Sequence, residues 1–481
     1  MADDPAAKER LLAIDQGTHA SRALLVDHRG SARVVATAEV VLHRQDGGRV
    51  EQDAFELLDS VRDVVGAALA WAKREGLRII RAGLATQRST VVAWDARDGR
   101  PLYPALSWQD TRGKAQLRRF AAEAGEVEAK TGLRLSPHYG ASKLRWLVEE
   151  VEAVGRAARG HRLRMGPLAA FLLHHLLEEA PHRCDVVNAS RTLLVDLRVR
   201  NWDASLIHAA GLEREWLPEC RPVIDDYGVL RGTTIPISAV NGDQNAALCA
   251  DGRPGAEALR VNAGTGAFIA APVESMADSP APLLGSILWS DDGAAHYLLE
   301  GTVNGAGAAL KWAESREGLP PAESVLANWP ECPEGPPLFL NTVGGLGSPW
   351  WRSGIPPRWL EEAGTFDASC RIAGVAESIL FLIGANVDLV RERVPSTRFI
   401  ILSGGLAKGD GWCQRLADLT GMEVRRSAAA EATGRGIAWL AAGRPDDWRA
   451  AGADRFTATP DPALERRYTR FIRALELALT Q

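Results

Sequence analysis

Two short apolar runs divided by a polar bend open the chain. Leu11-Leu12-Ala13-Ile14 leads into Asp15-Gln16-Gly17-Thr18, and Arg22-Ala23-Leu24-Leu25-Val26 follows. Apolar runs around a glycine-bearing bend predict a buried β-hairpin. The pattern returns half a chain later, where Ala258-Leu259-Arg260-Val261 runs into Asn262-Ala263-Gly264-Thr265-Gly266 and on to Ala267-Phe268-Ile269-Ala270. Asp15-x-Gly-Thr18 aligns with Asn262-x-Gly-Thr265. Glycine lets backbone N–H groups approach an anion, and threonine adds a hydroxyl donor. One such bend usually does no more than reverse the chain. Two of them point to related lobes, each offering a phosphate-binding turn to one cleft. No low-complexity linker separates them, so the repeat itself sets the division at 1–250 and 251–481.

The rest of the pattern alternates strands with helices. Residues 33–42, 79–84, 90–95, 287–290, 296–299 and 398–402 read as strands. Asp53 opens a capping-box-like helix running to about Arg74, and Gly166-Pro167 opens another. Residues 143–147 belong to an amphipathic helix. Asp367 caps a long helix with Ile372, Val375, Ile379, Leu382 and Leu389 at nearly helical spacing. Strand 79–84 ends in Thr86-Gln87-Arg88-Ser89, at the strand end where α/β sheets place ligands. The extended segment 236–240 enters Asn241-Gly242-Asp243-Gln244 and a helix. Asp243 is then either an N-cap or a carboxylate on a cleft floor, acting as general base. Gly301 to Asn304 leads a small-residue helix holding Gly305, Gly307 and Lys311. After strand 398–402 come Ser403-Gly404-Gly405 and a helix over 412–419 closed by Gly421. Strand, Gly-Gly, helix is a nucleotide-binding arrangement, common on its own.

Composition narrows the class. The 481 residues, 46% hydrophobic and 24% charged, suit about two to four domains with large cores. A net charge of -5 argues against a nucleic-acid partner. Apolar stretches such as 378–385 fall short of the roughly 20 residues of a membrane span. Residues 1–5 are acidic, so no secretory signal is expected. Six scattered cysteines without a Cys-x-x-Cys pair predict buried free thiols in a reducing cytosol. His174, His175, His182 and Cys184 hint at a metal site. Adjacent histidines diverge on a helix, however, and Pro181 breaks the register, so a solvated helix end is the better reading. Trp108-Gln-Asp-Thr-Arg112 is either a packed loop or a polar small-molecule pocket.

In order along the chain stand Asp15-Gln-Gly-Thr18 with Ser21-Arg22, Gly48-Arg-Val-Glu51, Thr86-Gln-Arg88, Trp108-Gln-Asp-Thr-Arg112, Asn188-Ala-Ser-Arg-Thr192, Gly242-Asp-Gln244 and Gly345-Leu-Gly347. This series resembles the FGGY carbohydrate kinases of the actin-like ATPase superfamily, closest to their glycerol kinase branch. The resemblance implies an α/β fold in which two ribonuclease-H-like domains flank a central cleft and close on ATP, Mg2+ and a sugar or polyol. It implies a cytoplasmic enzyme, a homodimer or higher homo-oligomer, with no nucleic-acid or membrane partner. By position, Asp243 is the catalytic base and Asp15 lies near the metal. Thr18, Arg22, Thr265, Gly307, Lys311 and Gly405 line the nucleotide, while Arg88, Ser89, His138, Asp243 and Gln244 face the acceptor. Phosphoryl transfer needs little more than an in-line hydroxyl and neutralised phosphates.

Departures from the family sharpen the expectation. Its acceptor-binding glutamate after the arginine is Ser89 here, and its acceptor tyrosine falls at His138 with Tyr139 beside it. On the nucleotide side two hydroxyl residues become His19 and Ala20, an asparagine becomes Gly409, and Lys311 replaces a glutamine. The segment 352–367 also leaves the family's second signature. Serine lacks the reach and charge of glutamate, so a longer polyol or a sugar fits the vacated space, with glycerol one candidate. The alternatives are a true glycerol kinase in which Tyr139 substitutes, and a nucleotide-binding regulator or degenerate kinase.

Overall fold

The first hairpin forms as its apolar pattern requires, β1 (Glu9–Gln16) pairing antiparallel with β2 (Ala20–Val26). In this computed structural model, which describes residues 8–276, 280–333, 335–428 and 431–480, β3 (Ala32–Glu39) extends the hairpin and stops short of residue 42. The acidic stretch 1–5 lies outside the described residues. Helix α1 (Ala54–Arg74) starts at Asp53, whose carboxylate accepts from the Phe55 and Glu56 N–H groups. The reciprocal half of the box is missing, because Glu56 accepts from Val41 N–H instead. Strand β4 (Arg78–Thr86) lies parallel to β1, and β5 (Ile237–Gly242) lies parallel to β4 and leads into α2 (Asp243–Leu248). The sheet order is β5-β4-β1-β2-β3.

The second half repeats this plan. Its strands are β6 (Ala258–Ala263), β7 (Ala267–Val273), β8 (Leu284–Ser290) and β9 (Ala295–Val303). Helices α3 (Gly307–Glu317) and α4 (Ala368–Arg393) follow, then β10 (Phe399–Ser403), α5 (Asp410–Thr420) and β11 (Glu423–Ser427). Helix α6 (Ala432–Ala441), strand β12 (Ala453–Phe456) and helix α7 (Pro462–Thr480) complete it. The order is β8-β9-β7-β6-β10-β11-β12. Within it, β9-β7-β6-β10-β11 reproduces β3-β2-β1-β4-β5 in order and in direction, antiparallel through the hairpin and parallel beyond it. The repeat read from two bends therefore spans five strands.

One segment of the second half lies with the first. Helix α6 packs on β1 and β4 and against α2, burying Ile437, Trp439 and Leu440 in the first core. Glycine makes this approach possible, since a Cβ on Gly436 would fall 1.7 Å from the Ala246 carbonyl oxygen. Helix α4 is long and apolar enough to cross a membrane by length and composition, and here it is buried in the second core. A further five-stranded sheet joins strands His43–Gln45 and Arg49–Gln52 to Ala105–Leu106, Val91–Asp95 and Leu163–Pro167, and packs on helix Gly140–Glu150.

Two sequence expectations need correction. Cys332 and Cys370 form a disulfide across 6.0 Å between Cα atoms, so only Cys184, Cys220, Cys249 and Cys413 are free. Topology brings the first turn of α4 beside a loop distant in sequence, which spacing does not reveal. His174 and His175 do end a helix but are half-buried rather than fully solvated: they pack around Trp94 and Phe171 and bond the Ala180 and Gly99 carbonyls at 2.8 and 2.9 Å. Burial pushes the His175 imidazole down to about 4.

Candidate active site

Parallel pairing of β4 with β5 sets Thr86 opposite Gly242, so the residues just past both strands share one ledge. Arg88 emerges there beside α2. Its Nε lies 4.0 Å from Asp243 Oδ1, Nη1 donates to Asn245 Oδ1 at 2.8 Å, and Nη2 donates to Gln244 Oε1. Gly242 must be small, because a Cβ would sit 2.6 Å from the Arg88 side chain. Gly242 also takes the N-cap position, leaving Asp243 as the first helical residue, with Oδ1 accepting from Gln244 N–H at 2.7 Å. The Asp243 side chain keeps 26% exposure. Burial raises its pKa, with Arg88, then the Gln244 N–H and then Arg191 pulling the other way. Ser89 has φ 64°, a left-handed backbone that non-glycine residues seldom adopt.

Residues to which the sequence reading gave no role of their own complete this end. Glu300, in the middle of β9 and 1% exposed, accepts from Arg191 Nη2 at 2.5 and 2.7 Å and from the Ser286 hydroxyl. Arg88 Nη1 lies 3.7 Å from the same carboxylate, and its guanidinium sits 5.6 Å from the centre of the Phe268 ring. Arg88 is thus held from both halves. The one signal in the sequence was a lone acid ending an apolar run, Leu298-Leu299-Glu300. Tyr139 faces Arg191, Arg88 and Glu300, and burial pushes its phenol pKa up. His138 turns to the Trp108 carbonyl, 3.2 Å from Nδ1, and burial lowers its pKa.

The residues expected to line the nucleotide sit at strand ends and among glycines. Asp15, at the end of β1 and 6% exposed, lies 3.9 Å from Arg22, which also faces Glu431 at 3.8 Å. Burial, then the charges of Asp243 and Glu431, drive the Asp15 pKa up to about 7 against the pull of Arg22. Thr18 accepts from the Trp108 indole N–H at 3.0 Å, which leaves its hydroxyl hydrogen free to donate. Thr265 is exposed on its bend. The start of α3 packs directly on that bend, Gly307 N–H donating to the Gly264 carbonyl and Ala308 N–H to the Thr265 carbonyl, both at 2.9 Å. A Cβ on Gly307 would lie 2.8 Å from the Gly264 oxygen. Gly404, at φ 97°, would put a Cβ 2.5 Å from the Ala263 oxygen, while Gly405 opens on free space. Lys311 is exposed on the second turn of α3. Gly409 has its own reason to lack a side chain, because the Leu326 carbonyl occupies the place of a Cβ at 2.5 Å.

Known proteins resemble this chain in sequence and in fold. The N-terminal domain of the FGGY family of carbohydrate kinases matches residues 10–250, and the C-terminal domain of that family matches 259–443. A glycerol kinase of Thermus brockianus is 34% identical over 484 residues, covering 96% of this chain and 94% of its own. One from Rippkaea orientalis is 32% identical over 463 residues, covering 92% of each. Among solved structures, Plasmodium falciparum glycerol kinase with ADP superposes with a TM-score of 0.88 at 23% identity, over 98% of this chain and 99% of that one. A xylulose kinase from Rhodospirillum rubrum gives 0.83 at 20% identity, over 98% of each. The repeated five-strand plan is accordingly that of the actin-like ATPase fold, and the chain belongs to the FGGY family of carbohydrate kinases.

Proposed function

We propose that this chain transfers the γ-phosphate of ATP to a hydroxyl of a sugar or polyol, with Asp243 as general base. The observation that carries this reading is the ledge at the ends of β4 and β5, where Asp243 stands beside Arg88. Arg88 and Gln244 hold acceptor hydroxyls. Asp243 orients the reacting one and takes its proton as transfer proceeds. Burial makes this carboxylate a stronger base, while Arg88 favours its ionised form. Thr18, Arg22, Thr265, Lys311 and the backbone at Gly307 and Gly405 hold the nucleotide.

The residues also fit a magnesium ion. Asp15, Asp243 and Glu431 raise local negative charge, which Arg22 beside Asp15 and Arg88 beside Asp243 offset only in part. Among the described residues no three His, Cys, Asp or Glu side chains converge as a cage. Asp15 would hold Mg2+, with the remaining ligands being phosphate oxygens and water, as this ion prefers. When bound, the ion neutralises phosphate charge.

Ser89 is short and uncharged, which favours a longer polyol or a sugar as acceptor. Glycerol is the second reading, supported by Tyr139, which reaches the arginine cluster near the place of the family's tyrosine, and by the names of the relatives. A cytoplasmic homo-oligomer fits the same family reading, and light scattering tests the assembly. A panel of polyols, ketoses and aldoses assayed for ADP release decides the acceptor, and fast, selective turnover of glycerol rejects the longer one. Asp243→Asn is expected to keep ATP binding and to lose at least ~10²-fold in turnover; wild-type turnover in that variant rejects the base assignment.

A further inference from the structure

Helix Gly140–Glu150 carries Lys143, whose side chain is 0% exposed. A buried ammonium is costly unless its hydrogens find partners. The nearest acid, Asp110, is already taken by the Arg112 guanidinium and the Val50 N–H. Lys143 Nζ donates instead to two backbone carbonyls, those of Ser89 and Ser107, each at 2.9 Å. Burial lowers its pKa to about 7, with Asp110 resisting and Arg112 adding to the fall.

The two carbonyls belong to two different loops. Ser89 directly follows the acceptor arginine and has the left-handed φ of 64°. Ser107 directly precedes Trp108. The Trp108 N–H donates to Thr90 Oγ1 and its indole donates to Thr18 Oγ1, both at 3.0 Å, while its carbonyl meets His138 Nδ1. One nitrogen therefore ties the loop of Arg88 to the loop that props the first phosphate turn. An apolar side chain of the same length would leave both carbonyls, that of Ser107 buried, without this donor, and the Ser89 turn would lose what holds it in an unfavourable backbone region.

We infer that Lys143 is a positioning residue for the acceptor, fixing the register between the Arg88 pocket and the Thr18 turn. The inference rests on the kinase reading. Its test uses the best acceptor of the wild-type enzyme and compares Lys143→Met with Lys143→Ala. Lys143→Met is expected to raise the acceptor KM at least ~10-fold and to lower kcat, as loss of a buried donor does. ADP affinity, measured by calorimetry, should change less than about twofold. Propylamine added to Lys143→Ala should restore acceptor KM in part, which a purely structural defect would not allow. An unchanged acceptor KM in a folded variant overturns the assignment. So does a parallel loss of acceptor and ADP affinity without amine rescue. If both variants fail to fold, Lys143→Arg gives the same reading, because its wider head displaces both carbonyls: a raised acceptor KM at constant ADP affinity supports the role, and an unchanged KM overturns it. A wild-type enzyme that phosphorylates nothing in the panel rejects the kinase reading and this assignment with it. An active wild type with indifferent Lys143 variants rejects only the assignment.

Discussion

The two Gly-Thr bends begin from one pattern and are stiffened in different ways. Behind the first lies a buried amide network: Gln87 donates to Gln16 and Gln52, and Gln52 donates to the Thr18 carbonyl. Behind the second lies mostly backbone, the start of α3 pressed on Gly264 and Thr265, with Asn262 donating to the Ser403 hydroxyl at 3.2 Å. Register differs too. Gln16 pairs with Ser21, enclosing residues 17–20, whereas Ala263 pairs with Ala267, enclosing only 264–266. The extra residue sets Arg22 opposite Asp15, an ion pair, and its absence sets Phe268 opposite Asn262. A repeated hairpin has thus become a charged turn in one half and a neutral one in the other. The charged turn suits a metal and migrating phosphate, and the neutral one suits a nucleotide held by N–H groups.

Asp15→Asn breaks this contrast most severely, since it makes the first turn resemble the second. Turnover should fall by about 10²–10³-fold, the scale of lost charge stabilisation. The apo protein should gain stability, because the native Asp15 pKa, near 7, lies above its unfolded value of 3.8. Between those values the native state holds a proton that the unfolded state has released, so apo stability falls as pH rises from about 4 to about 7 and then levels off. Denaturant titrations across that range should show a shallower fall for the Asn variant; an identical slope would mean that Asp15 is not the group responsible.

The second turn is tested by Gly404→Ala. A methyl at φ 97°, aimed at the Ala263 oxygen, should weaken ADP by about 10-fold, the equivalent of 1–2 kcal/mol of left-handed strain, with acceptor KM unchanged. Equal damage to acceptor binding would show that the halves do not divide the work. The smallest effect sharpens the comparison. Thr265→Val should cost a few-fold in nucleotide KM alone, about one hydrogen bond. Thr18→Val should move both KM values, because Thr18 also supports Trp108. Steady-state kinetics with each substrate varied in turn separates the two patterns.

What the sequence disclosed was local. Both hairpins, the caps at Asp53 and Asp367 and the helix stop at Gly421 depend on residues a few positions apart, and each formed. Asp243 was legible as a helix start, although Gly242 holds the cap position. Glu300, Phe268, Arg191 and Lys143 gave little local sign of their pocket contacts, because each contact depends on elements far apart in the chain. Glu300 is the clearest case. Its strand reads as edge-to-core apolar sequence, and its carboxylate acquires meaning only when β9 lies against the loop of Arg191. The Cys332–Cys370 bond and the return of α6 were hidden for the same reason.

That return has a mechanical result. The chain passes from one half to the other before Ala258, again between Ser427 and Ala432, and once more between Ala441 and Ala453. A single protease cut in the 251–257 link would leave two fragments still clasped, because Ile437 and Trp439 stay sunk among Leu24, Leu84 and their neighbours. Any relative movement of the halves must bend all three crossings at once, so the two cannot simply drift apart.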